Sequence, residues 1–299
     1  MAITGNGTQA DPYIVDSWPD FVTAVGTSGA YVEVAPGLTW DMNEIAPEGI
    51  STPITFSAQS INGHGVKIYN LVMMDGGYIN LHRNNMIIEG FSILNLYVRS
   101  SYFFFISVEK VGISQSVFSG IIQDSTFAYV ANVNQAIPSM DRCSMNLRFG
   151  GNSLLYNGYY STGMGGKALR LTNCNVALSG RSTNANSITS YDARNKYNLI
   201  SFVNCYISGN NPFNYLYICW NSTYSSSTVY SRYSIFNLIC EPGQSIMNAP
   251  NSTLITSCLI NQDKMNGATV NSALTQVTDA QMRDAAYLAS LGFPIGVSS

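Results

Sequence analysis

Leu171-Thr172-Asn173-Cys174-Asn175-Val176 and Phe202-Val203-Asn204-Cys205-Tyr206-Ile207 are one short phrase written twice, with the two cysteines 31 residues apart. The same distance upstream stands Met140-Asp141-Arg142-Cys143-Ser144-Met145. Downstream copies read Ile235-Phe236-Asn237-Leu238-Ile239-Cys240 and Ile255-Thr256-Ser257-Cys258-Leu259-Ile260, and looser ones lie at Ile88–Ile93 and Ile113–Phe118. Aligning Phe91, Ser116, Cys143, Cys174, Cys205, Leu238 and Cys258 gives steps of 25, 27, 31, 31, 33 and 20 residues. A repeat of this size, loose in length but fixed in wording, marks stacked units that cannot bury an apolar face singly.

Within each copy a small or polar pair makes a corner, after which alternate residues are apolar. Cys143, Met145, Leu147 and Phe149 alternate with Ser144, Asn146 and Arg148. That period of two is a half-buried strand. One such strand per coil with no helix between coils predicts an all-β chain: a single parallel β-helix in which each coil pairs with the next. Ile122-Gln123-Asp124-Ser125-Thr126-Phe127 also fits the phrase but follows Ser116 by too few residues, so it is expected on another sheet of the same coil.

Composition agrees. Charged residues make up 10% and aromatics 12% of the 299 residues, which is the reverse of a disordered chain. A net charge of −3 gives no footprint for nucleic acid or an anionic membrane. The first residues form neither a basic nor an apolar leader, and no apolar run reaches membrane-spanning length, so no signal peptide and no membrane insertion are expected. Four of the six cysteines share the inward register of apolar residues. Stacked rungs would hold them about 4.8 Å apart, wider than a disulfide prefers, and free buried thiols are expected.

The ends differ from the middle. Ser17-Trp18-Pro19-Asp20 supplies an N-cap, an early proline and a first-turn acid, with Phe21, Ala24 and Val25 on one face and Gly26 as the stop. Thr278-Asp279-Ala280-Gln281 begins a second helix with a capping box, whose Met282, Ala285, Ala286 and Ala289 fall at helical spacing in an apolar stripe that Tyr287, Leu288 and Phe293 widen. The expected division is an opening strand and capping helix over residues 1–29, the solenoid over 30–265, and a C-terminal capping or docking segment over 266–299.

Gly5-Asn6-Gly7-Thr8, Asp11-Pro12-Tyr13-Ile14, Trp40-Asp41-Met42-Asn43 and Asn62-Gly63-His64-Gly65-Val66-Lys67-Ile68 together resemble pectate-lyase-like β-helix proteins of bacteriophage particles and bacterial surfaces. The resemblance spans about the first hundred residues and continues in style through the cysteine coils. It implies a right-handed solenoid and a structural or adhesive virion component, with other virion proteins, host surface polysaccharide or a second copy of the chain as partners. A tailspike-like polysaccharide-degrading enzyme is the alternative and a bacterial surface adhesin the third reading.

The chemistry in the sequence favours binding over catalysis. Sugar cleavage needs converging carboxylates. The 17 acidic residues are scattered, and no strand carries two at i, i+2. His64 sits in a Gly-His-Gly triplet also found in polygalacturonases, yet the aspartate motifs that accompany it there are missing, so a corner residue is expected. Asp192 with Arg194 and Lys196 reads as a surface ion-pair cluster. Gly163-Met164-Gly165-Gly166-Lys167 fails as a phosphate loop, and two histidines make no zinc pattern. No catalytic residue, metal or cofactor is assigned. The candidate binding residues are Tyr156, Tyr159, Tyr160, Tyr215, Tyr217, Trp220 and Tyr224, aromatic groups able to meet sugar rings or a protein partner.

Overall fold

The structure is a computed structural model that describes residues 3–123, 125–130, 138–150, 153–157, 167–181, 189–190, 198–212, 230–246 and 255–293. Among these the chain winds as a parallel β-helix with three faces. The first two faces form one 19-stranded sheet, because in the early coils single strands such as Ser60–Tyr69 and Met86–Val98 run through both. The third face is a six-stranded sheet, and a two-stranded sheet pairs Ser245–Ile246 with Thr269–Val270. All these strand pairings are parallel, as coil-on-coil stacking requires. Of the segment at Ile122–Phe127, expected on another sheet, only the second half lies there: Ile122 ends the second-face strand Val117–Ile122, while Thr126 opens the third-face strand Thr126–Val130.

The repeated phrase is the corner between the first and second faces. At each corner one residue takes a left-handed conformation: Gly90, Gln115, Arg142, Asn173, Asn204, Tyr233 and Ser257, with φ between 49° and 75°. This single residue turns the chain without breaking the ladder on either side. Asparagine tolerates that region better than most residues, which is why it recurs. The next residue points inward, giving the buried column Val66, Phe91, Ser116, Cys143, Cys174, Cys205, Ser234 and Cys258. Register corrects the sequence alignment at one copy. Ser234, not Leu238, occupies the phrase position, since Tyr206 pairs with Ile235. The steps thus become 29 and 24 residues where the sequence suggested 33 and 20, and Cys240 closes the second-face strand of its coil. A serine hides there because its hydroxyl is satisfied: Ser234 Oγ accepts from the Cys205 N–H at 3.2 Å and donates to the Arg232 carbonyl at 3.2 Å. Ser116 does the same with Phe91 and Ser114.

Beside it runs a second inward column, Trp40, Ile68, Ile93, Phe118, Met145, Val176, Ile207, Phe236 and Ile260, every member under 6% exposed. Buried apolar side chains of this size contribute about 1.5–3 kcal/mol each, so this column is a main source of stability. The five described cysteines are free and buried. Cys174 Sγ donates to the Thr172 carbonyl at 3.2 Å, and Cys205 Sγ to that of Leu171 at 3.3 Å. Cys143 and Cys205 have raised pKa values, first through the neighbouring Cys174 sulfur and then through burial. Burial pushes Cys240 up to about 11.

Outside the corner, asparagines form ladders of their own. Asn173 Nδ2 donates to Asp141 Oδ1 at 2.9 Å and Asn204 Nδ2 to Asn173 Oδ1 at 2.7 Å. A second ladder of the same length links Asp41, Asn70 and Asn95 at the far end of the second face, where Asn70 and Asn95 are again left-handed.

Helix α1, Trp18–Gly26, is capped by Ser17 and buries Phe21, Ala24 and Val25 against the first coils. Helix α2 is the single turn Met42–Ile45. At the C-terminus the capping box of Thr278 and Gln281 is present, but the helix is two pieces, α3 (Asp279–Arg283) and α4 (Ala285–Ser290). Asp284 ends the first and caps the second, its carboxylate accepting from the N–H groups of Ala286 and Tyr287. The expected alanine stripe is not the packed one: Ala285, Ala286 and Ala289 are exposed. The larger members of the expected stripe, Met282, Tyr287, Leu288 and Phe293, do pack, joined by Leu291, on Ile235, Leu259 and Val277 in a cluster separate from the main core. The tail therefore clamps the flank of the last coils. The end of the core is closed by Met265 and Leu274, which belong to the main cluster.

Candidate functional site

The most distinctive outward feature is on the third face, where strands Ile79–Leu81, Tyr102–Ile106 and Thr126–Val130 stack in register. Phe104, Ile106, Ala128 and Val130 point into the core and Phe105 and Tyr129 alternate with them outside, while Phe103 and Phe127 are buried too, so the alternation breaks before Phe104 and Tyr102 is also left half-buried outside. Tyr78, just before the first of these strands, joins them. Ring centroids are 4.9 Å apart for Tyr78 and Tyr102, 5.0 Å for Tyr102 and Tyr129, and 5.4 Å for Phe105 and Tyr129, whose planes differ by 7°. Rungs repeat at about 4.8 Å, so Tyr129 stacks with Tyr102 and with Phe105, while Tyr78 meets Tyr102 edge-on. Much of each flat face is thereby used within the chain. What remains for a partner is a comb of ring edges and phenolic hydroxyls. Burial, then the nearby phenols of Tyr78 and Tyr129, raise the pKa of Tyr102.

Of the residues selected from sequence, Tyr156 lies in strand Ser153–Asn157 with its backbone opposite Tyr129, on the next rung of this sheet. Tyr159, Tyr160, Tyr215, Tyr217, Trp220 and Tyr224 lie outside the described residues, as do Asp192, Arg194 and Lys196. The comb residues Tyr78, Tyr102, Phe105 and Tyr129 were not singled out by sequence. A signal existed, because Phe105 and Tyr129 stand 24 residues apart, one coil step on this face.

His64 is a corner residue, as expected. It takes φ 48° in a bulge where Gly63, His64 and Gly65 together face Gly90. Gly63 has no room for a side chain, since a Cβ would lie 2.6 Å from the Gly90 carbonyl oxygen. His64 Nε2 lies 3.2 Å from Glu33 Oε2. Glu33, Asn62 and Glu89 occupy one outward column of the first face. The two carboxylates are thus two rungs apart, about 9.6 Å along the backbone. That is at the wide limit of inverting glycoside hydrolysis. The space a sugar and water would need is taken by Asn62, whose Nδ2 donates to Glu89 Oε1 at 3.0 Å. Among the described residues no group of three or more His, Cys, Asp or Glu side chains could hold a metal ion, and no helix is long and apolar enough to cross a membrane.

No family profile matches the chain, and comparison with curated proteins found no relative. Among solved structures the chain is similar to a mutant of Bacillus subtilis pectate lyase, at 10% sequence identity and a TM-score of 0.33, over 99% of this chain and 90% of that one.

Proposed function

We propose that this chain is a structural or adhesive component of a bacteriophage particle, a stiff β-helical rod that contacts host surface glycans or neighbouring virion proteins through its outer faces. The observation that carries this reading is the side-chain economy of the rod. Its corner residues Asn173 and Asn204 are tied in an asparagine ladder, its third face is an aromatic comb held by ring contacts within the chain, and its best-placed pair of acids is occupied by Asn62 and His64. Such a surface is pre-organised and loses little side-chain entropy on binding, which suits attachment. It offers little to bond cleavage. The resemblance of the N-terminal coils to phage-particle β-helices supports the same reading.

The test is direct. Mass spectrometry of purified particles from the source phage should detect the chain at stoichiometric level, and antibody labelling should place it on the exterior. The isolated rod should bind cells of the host and leave the chain length of their surface polysaccharide unchanged. Absence from particles, or depolymerisation by the pure protein, would refute the proposal.

A further inference from the structure

The first face carries a depression that the aromatic comb and the corner ladders do not touch. It encloses about 770 Å³ of space open to solvent and is lined by Asn85, Met86, Ile87, Lys110, Val111, Gly112, Ser139 and Arg170. Its origin is one missing side chain. Ile87, Gly112, Ser139 and Arg170 succeed one another in an outward column, rung by rung, and the glycine leaves a gap between Ile87 below and Arg170 above. Ile87 is 50% exposed and forms an apolar wall.

All four polar residues of the lining carry hydrogen-bond donors: the Asn85 amide, the Lys110 ammonium, the Ser139 hydroxyl and the Arg170 guanidinium. None is acidic. The acids of the neighbouring column face other partners, Glu89 with Asn62 and Asp141 with Arg142 and Asn173. Neither Lys110 nor Arg170 forms an ion pair among the described residues, and both are exposed. In a chain with only 14 Lys and Arg among 299 residues, two unpaired cations converging on one depression are a concentrated positive feature.

We infer that this depression binds a phosphodiester group of a sugar-containing polymer, held between Lys110 and Arg170 with its uncharged stem against Ile87. The two cations come from rungs on either side of Ser139, so they approach an anion from different directions. A tetrahedral phosphate presents oxygens in more than one plane and can engage both together with Ser139. A planar carboxylate is satisfied by the guanidinium fork alone. The inference deepens the proposed function and rests on it, by naming the class of surface polymer that the rod would meet.

Titration of the full chain with a defined glycerol-phosphate oligomer, followed by fluorescence anisotropy at low and physiological salt, tests it. Lys110→Glu and Arg170→Glu should each weaken binding at least tenfold. Gly112→Leu should do the same with both charges intact, because a Cβ at Gly112 meets only Ser139 Oγ at 3.8 Å and the Met86 carbonyl oxygen at 3.9 Å, so the larger residue fits while filling the depression. Circular dichroism and thermal melting should match the parent chain for all three. Unchanged binding in these variants, or equal affinity for a carboxylate polymer or for duplex DNA, would overturn the inference. Its failure is separable from that of the proposed function: a rod that is found on particles and binds host cells but ignores the phosphodiester oligomer sinks only the depression.

Discussion

Asn173 is the residue through which corner geometry and ladder chemistry can be weighed together. Replacing it with alanine puts a residue without a polar side chain at φ 54° and removes both members of its ladder, the 2.9 Å bond to Asp141 and the 2.7 Å bond from Asn204. The left-handed conformation costs an ordinary L-residue roughly 1–2 kcal/mol. Each lost hydrogen bond costs about 1 kcal/mol net. Asn173→Ala should therefore destabilise the rod by about 3 kcal/mol. Asn204→Ala loses one shared bond and the same conformational tolerance, for about 2 kcal/mol. Because the two substitutions remove one bond in common, the double variant should be less destabilised than the sum, with a coupling of about 1 kcal/mol. Equilibrium urea unfolding read by circular dichroism gives the totals. Hydrogen exchange at Cys174 and Asn175 shows whether the loss is local, a needed check because stacked coils need not unfold as one unit. A cost below about 1 kcal/mol for Asn173→Ala, or strict additivity in the double variant, would refute the account of the corner.

Three further outcomes follow from the geometry. All six thiols should titrate in denatured protein without reductant, while the five described cysteines stay unreactive in the native chain, and Cys174→Asp should cost several kcal/mol because it buries an unpaired carboxylate; recovery of two or three disulfides would contradict this. Asp279 has a lowered pKa, chiefly through the hydrogen bond from Asn261 and then the charge of Arg283. Its folded value lies below its unfolded one, so its contribution is complete above the ordinary carboxylate range and is lost as pH falls through the folded value; hydrogen exchange over residues 278–293 should accelerate on acidification, and Asp279→Asn should abolish that dependence. Deleting residues 278–299 uncovers Ile235, Leu259 and Val277 and should give insoluble protein; a soluble truncated rod that still joins particles would remove any role for the clamp.

The coil was legible because its signal is local and repeated. From Ser116 to Cys258 a non-glycine left-handed residue followed by a small inward serine or cysteine leaves the same trace at each turn, whatever the length of the loops between. The alignment slipped at Ser234 for a physical reason: a hydroxyl satisfied by two backbone groups substitutes for an apolar residue, and hydrophobicity alone then favours the wrong frame. The C-terminal segment misled in another way. Its capping box announced a helix start, but the break at Asp284 depends on which face finds Ile235 and Leu259, and those partners lie 50 and 26 residues before Ala285. The outward comb and the depression at Gly112 were harder still. Each is assembled from residues one coil apart, so neither exists until register is known.

The flank clamp bears on how the rod would respond to load. Backbone hydrogen bonds between coils run along the long axis, so tension applied end to end is carried coil after coil in series, and the weakest terminal coil would peel first. Helices α3 and α4 bridge three successive rungs at Ile235, Leu259 and Val277, and Asp279 accepts from Asn261 while its own N–H donates to Asp263. That bridge works as a tie across the last joints, shifting the peeling force from one interface onto several at once. A rod pulled from its C-terminal end is thus reinforced at the place where the chain of couplings would otherwise open.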